Sequence, residues 1–125
     1  MEDNTILEGG KLIAEFHGGR YNSKRDVIIY DTDTMYHFAQ KINAISVKVE
    51  YLQYHISWDW LMPVVDKIES FGYCVFIQND CCWIKVGRAG MEMPYISHLS
   101  NTKIESVYKA CLELIKIEKL NHNGK

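Results

Sequence analysis

The chain has 125 residues, of which 47% are hydrophobic and 24% charged, and its formal net charge is −2 at pH 7. That balance suits a single domain, 1–125, with one core. It excludes a role built on non-specific binding to nucleic acid or to anionic membranes, and no apolar run is long enough to span a membrane.

The N-terminal MEDNTILEGG is acidic and lacks the basic-then-apolar layout of a secretory signal. The expected location is therefore the cytoplasm, where the 4 cysteines are expected as thiols and not disulfides.

In chain order, Asn4–Phe16 predicts a first helix, capped by Asn4 or Thr5, with Ile6, Ile13 and Phe16 facing inward. Gly9 and Gly10 weaken it by about 1 kcal/mol each, and their small size suits a close approach to a sheet. They do not make a phosphate loop, because no strand precedes them and no lysine and hydroxyl follow in register. Gly18-Gly19 ends the helix. Arg20–Arg25 reads as a polar connection, Val27–Tyr30 as a short strand and Asp31-Thr32-Asp33-Thr34 as turn chemistry. The DTDT spacing lacks the later glycine and glutamate of a calcium loop.

Met35–Tyr51 carries mixed signals. Met35–Phe38 fits a return strand, Phe38–Ala44 equally two turns of helix, and Ile45–Val49 alternates as a strand does.

Tyr54–Gly72, YHISWDWLMPVVDKIESFG, is the stretch around which the chain is organised. Ser57 is placed to cap a helix through its hydroxyl. Asp59 meets the positive end of the dipole, and Leu61, Val64, Val65 and Ile68 share one face. Gly72 suits a left-handed stop. Pro63 requires either a late start or a kink, since interior proline costs ~3 kcal/mol.

Tyr73–Gln78 and Cys81–Val86 predict a hairpin turning at Asn79-Asp80, with Cys82, Ile84 and Val86 on one face and Cys81, Trp83 and Lys85 on the other. Gly87–Pro94 reads as a loop and Tyr95–Leu99 stays ambiguous. Thr102 and Glu105 form a capping box for a last helix, striped by Ile104, Val107, Tyr108, Cys111, Leu112 and Ile115. Asn121–Lys125 is expected as a frayed tail.

The expected fold class is α/β, more strictly α+β: a small, mostly antiparallel sheet with two to three helices packed on it. Three blocks travel with this pattern: LIAEFHGG at Leu12–Gly19, YHISWDWLMPVVDKIE at Tyr54–Glu69 and KIESVYKACLELIK at Lys103–Lys116, together about a third of the chain. In them the chain resembles small phage and prophage proteins of the phage ABA sandwich type. The resemblance implies an α-β-α sandwich-like fold, a phage origin and a host cytoplasmic location. It implies no catalytic residue. By analogy of context, it suggests an accessory or counter-defence factor.

The candidate ligand-binding residues are Tyr54, His55, Trp58, Trp60, Trp83 and Arg88. Aromatic rings at the start of the central helix could stack a nucleobase, although a plain aromatic core is the weightier reading. Asp59 already occupies the helix end that would meet a phosphate. Adjacent Cys81 and Cys82 point to opposite faces of a strand, so no metal site is expected, and no cofactor either. The scattered His17, His37, His55, His98 and His122 offer one pairing, His55 with Asp59. Arg20, Lys24, Arg25, Lys85 and Arg88 could gather an anion but read more simply as solubilising charge.

The expected function is non-enzymatic: a phage-type accessory binding protein, with sequestration of a nucleotide-like signal as its leading form. The alternatives are a module that inhibits a host protein through an exposed apolar patch, around Met91 and Met93, and a small enzyme using Cys82 or His55. A homo-oligomer is compatible with each.

Overall fold

In a computed structural model describing residues 3–86 and 96–123, the first helix, α1, spans Asp3–His17. Asn4 and Thr5, expected as caps, lie inside it. Ala14 ends the helix by accepting both following glycine N–H groups, Gly18 at 3.1 Å and Gly19 at 2.8 Å. Gly19 has no alternative: a Cβ there would overlap the Ile28 side chain and sit 3.1 Å from the Ala14 carbonyl oxygen. Gly9 and Gly10 are buried, and Gly10 leaves just enough room for the Leu52 side chain.

Arg20–Arg25, expected as a connection, begins with a strand, β1 at Arg20–Asn22, which pairs antiparallel with β2 at Val27–Ile29. Its polar sequence hid it, because this edge strand has half-exposed and exposed side chains only. The turn between them is held by the Asn22 side-chain oxygen, which accepts from the N–H groups of Lys24 and Arg25. Helix α2 follows at Tyr36–Ile42, which decides Met35–Phe38 in favour of helix, and β3 at Ser46–Lys48 then pairs with β2. A 3₁₀ turn, Val49–Tyr51, closes this part.

The core here is Ile13, Ala14, Ile28, Tyr30 and Phe38, with His17 buried beside them. The His17 ring sits edge-on to Phe38, with centroids 4.4 Å apart, so this histidine is a core residue and not a surface one.

Helix α3 spans Trp58–Ser70 with Pro63 inside it. Ser57 has the extended backbone of an N-cap, yet its hydroxyl makes no capping bond; its carbonyl oxygen accepts from Trp60 and Leu61 instead. Trp60, Leu61, Val64, Val65 and Ile68 are buried on one face. Each fully buried aliphatic side chain is worth about 1.5–3 kcal/mol. Gly72, at φ +98°, turns the chain out of the helix in a conformation costly for any side chain.

The hairpin forms as expected, with β4 at Tyr73–Gln78 and β5 at Cys81–Val86. Asn79 takes the positive φ of the turn, at 53°. The ambiguous Tyr95–Leu99 contains β6, Ile96–Leu99, which pairs antiparallel with β5. Helix α4 runs Lys103–Asn123, so most of the expected tail is helical. Thr102 accepts from the Glu105 N–H through its hydroxyl at 3.2 Å, one half of the capping box, while the Glu105 carboxylate pairs with Lys109 at 3.2 Å.

The described residues therefore form four α-helices and two antiparallel three-stranded sheets, β1-β2-β3 and β4-β5-β6, an α+β composition. The expected sheet is thus realised as two. The chain divides into two compact units, Met1–Gln53 and Tyr54–Lys125.

Candidate functional site

The start of α3 does not hold its aromatic residues together as one surface. Tyr54 is fully buried and Trp60 is 7% exposed, their rings crossing at right angles with centroids 5.2 Å apart. Both belong to the core of the second unit. Trp58, two residues before Trp60, is 37% exposed, and Ile56 and Met62 are exposed with it. The helical period explains the split, because Trp60 shares the face of Val64 and Trp58 that of Met62.

His55 is half-buried, its ring 6.0 Å from that of Tyr108, and burial lowers the imidazole below its ordinary pKa. The shift favours the neutral form of the ring. Among the described residues no hydrogen bond or ion pair joins it to Asp59, because it precedes the first helical turn. Tyr108 is fully buried and its hydroxyl has no partner within the described structure, and burial pushes the phenol up to about 12. A buried hydroxyl left unbonded costs about 1–3 kcal/mol.

Trp83 stands apart from this cluster. In the β4-β5-β6 register it lies in a row with Phe76 and Ser97, and the next row places Gln78, Cys81 and Leu99 together. The opposite face carries Val75, Ile84 and Ile96, with Ile77, Cys82 and His98. That inner face is covered by α4: the His98 Nε2 meets Glu113 at 2.8 Å and the Tyr73 hydroxyl donates to Glu118. The outer face leaves Phe76 46% and Leu99 71% exposed, with Cys74, Cys81 and Trp83 half-exposed and the Lys85 ammonium 5.8 Å from the Phe76 ring centre. Arg88, Met91 and Met93 lie outside the described residues.

The thiols divide by face. Cys82 is fully buried, and that burial pushes its pKa up to about 11. A thiol so placed has neither the anion nor the access that a nucleophile needs. Cys111 is buried and shifted in the same direction by burial, then by Cys82. Among the described residues no three His, Cys, Asp or Glu side chains converge on a metal position. Arg20, Lys24 and Arg25 are exposed in the first unit and Lys85 belongs to the second.

Sequence reasoning missed a groove in the first unit, of about 570 Å³, along α2 and the loop into β3. Tyr36, Gln40 and Asn43 line it at positions i, i+4 and i+7, the spacing of one helix face. That signal was present in Met35–Tyr51 but competed with a strand reading of Met35–Phe38. No helix of the described residues is long and apolar enough to cross a membrane. Compared with known protein families, with curated proteins and with solved structures, the chain matches none.

Proposed function

We propose that this chain is a non-enzymatic accessory protein of the phage type that its central block resembles, acting in the host cytoplasm by binding and blocking a host protein. The observation that carries this reading is the outer face of β4-β5-β6, where Phe76 and Leu99 stand in water around the half-exposed Trp83. Water-facing apolar side chains grouped on one face mark an interaction surface, and a tryptophan among them is the residue type enriched at binding hot spots. Lys85 beside Phe76 offers a positive rim to an acidic edge on the partner.

The test is capture from host lysate by the wild-type chain and by a Phe76→Ser, Leu99→Ser double variant, with captured proteins identified by mass spectrometry. A partner held by the wild type and lost from a variant of unchanged circular dichroism supports the reading. Equal capture by both sinks it.

A second reading, a counter-defence factor that sequesters a nucleotide-like signal, is favoured by the exposed Trp58 close in sequence to the half-buried His55. Tyr54 and Trp60 would then support the site from beneath without touching the ligand. A thermal-shift panel of cyclic and linear nucleotides checks it, and no stabilisation at millimolar ligand overturns it. Light scattering on a sizing column reports whether either form works as a homo-oligomer.

A further inference from the structure

We propose that the groove along α2 is a binding site for an uncharged, planar heterocycle with a paired donor–acceptor edge, the chemistry of a nucleobase. It lies in the first unit, so it stands or falls separately from the sheet face and from Trp58, which belong to the second.

Its shape comes first. The groove measures about 570 Å³, within the roughly 300–1,000 Å³ of small-molecule sites. Its walls are preformed by backbone bonds. Helix α2 ends in a Schellman motif, in which the Asn43 N–H meets the Gln40 carbonyl oxygen at 3.2 Å and the Ala44 N–H that of Ala39 at 3.1 Å. Asn43 supplies the left-handed residue, at φ 57°. The Tyr30 N–H then pins the Ile45 carbonyl oxygen at 2.7 Å, and the Met35 N–H bonds the Asp31 carbonyl oxygen at 2.6 Å at the other end. A ligand therefore meets walls already in place, which lowers the ordering cost of binding.

Its chemistry comes next. Tyr36 is 54% exposed and Ile45 57% exposed, two flat or broad apolar surfaces for a ring. The Tyr36 ring is steadied by an edge contact to His37, with centroids 5.6 Å apart. Gln40 and Asn43 bring side-chain amides, each donor and acceptor at once, and neither amide is engaged by another side chain of the described residues. Thr32 and Ser46 add hydroxyls. A single such amide, with donor and acceptor side by side, can read a base edge through two matched hydrogen bonds.

Its charge sets the limit. No ionisable carboxylate, ammonium or guanidinium lines the groove. The nearest charges in sequence at the Thr32 end are the exposed Asp31 and Asp33. A phosphate at the Thr32 end would meet two carboxylates nearby and no cation in the lining, so at that end the site favours the base over the phosphate.

The experiment is a titration of the full chain, labelled with ¹⁵N, against adenosine, guanosine, cytidine and uridine and against their 5′-monophosphates, read by the side-chain amide signals of Gln40 and Asn43. The expected result is saturable movement of both signals with at least one nucleoside, and equal or weaker binding of its monophosphate. Tyr36→Ala weakens that binding by about tenfold or more, given ~1–3 kcal/mol per stacked base. Gln40→Ala weakens it by about tenfold, and Asn43→Asp, which keeps a residue tolerant of the left-handed conformation, weakens or reorders the preference among bases. Three results overturn the proposal: no saturable shift with any nucleoside, a monophosphate that binds at least tenfold tighter than its nucleoside, or a folded Gln40→Ala and Tyr36→Ala pair that binds as the wild type does.

Discussion

The two units hold themselves together by different means. The first joins the 15-residue α1 to three-residue strands and a seven-residue α2, and beyond α1 its order comes from turns: Asn22, Asp31, Asn43 and the Gly18-Gly19 stop each fix the chain by a bond reaching two to five residues. The second uses six-residue hairpin strands and helices of 13 and 21 residues, and its order comes from one long buried seam. Short pieces depend on close backbone approach, whereas long pieces depend on volume filled. Atoms added at the tight turns of the first unit and atoms removed from the seam of the second are therefore the sharpest tests of each.

The largest expected effect of a single substitution is in the second unit. Leu61 is fully buried, and Leu61→Ala should cost about 3 kcal/mol in urea denaturation, the middle of the range for a buried leucine. A loss under about 1 kcal/mol would mean the seam relaxes into the gap and is not closely packed.

Next comes alkaline pH. Cys82 has a folded pKa of about 11 against an ordinary 9.0, and Tyr108 about 12 against 10.0, both raised chiefly by burial. The folded chain keeps these groups neutral while the unfolded chain ionises them, so unfolding is drawn forward as pH climbs. Stability should hold below pH 9.0 and fall between 9.0 and about 12, by on the order of 2–3 kcal/mol for each group. Hydrogen exchange should show the loss in the second unit, and a first unit that opens first would reverse the comparison.

Gly19→Ala tests the first unit directly. The added methyl meets Ile28, the Ala14 carbonyl oxygen and Tyr30, so a loss of about 1–3 kcal/mol is expected from overpacking. An unchanged thermal midpoint would show that close approach is not what orders this unit.

Smaller effects sharpen the picture of the second unit. Thr102→Ala removes the hydroxyl that caps α4 and should cost about 1 kcal/mol, measurable as a shifted urea midpoint. Tyr108→Phe should run the other way. Its hydroxyl is buried without a partner, so deleting it should leave stability unchanged or raise it by up to about 1 kcal/mol. Clear destabilisation would show that an internal water already bonds this hydroxyl.

The same contrast explains what the sequence disclosed. The hairpin was legible because six largely apolar, β-prone residues on each side of the turn pair Asn79-Asp80 leave little choice. The faces of α3 and α4 were legible because 13 and 21 residues sample the helical period several times. Arg20–Asn22 passed for a loop because its residues are polar, whereas the equally short Val27–Ile29 was legible from its β-branched residues. The cap at Ser57 was a right position with the wrong atom: the backbone turns there, but the carbonyl and not the hydroxyl carries the bonds. Of the candidate site, residue type said aromatic and could not say which ring would be inward. Trp58 and Trp60 differ by two residues and end up on opposite sides of that question. The groove was hidden for a plainer reason, since its face becomes a face only once α2 is a helix.

Neighbouring Cys81 and Cys82 give the hairpin two built-in reporters with opposite readings. A thiol reagent that reaches Cys81 in the native state, read at that position, reports whatever settles on the open side of the sheet. Its neighbour, one bond pair along the same strand, stays silent until the strand leaves α4. Labelling rates at the two positions would thus separate occupation of the surface from opening of the fold in one sample, with no engineered residue introduced.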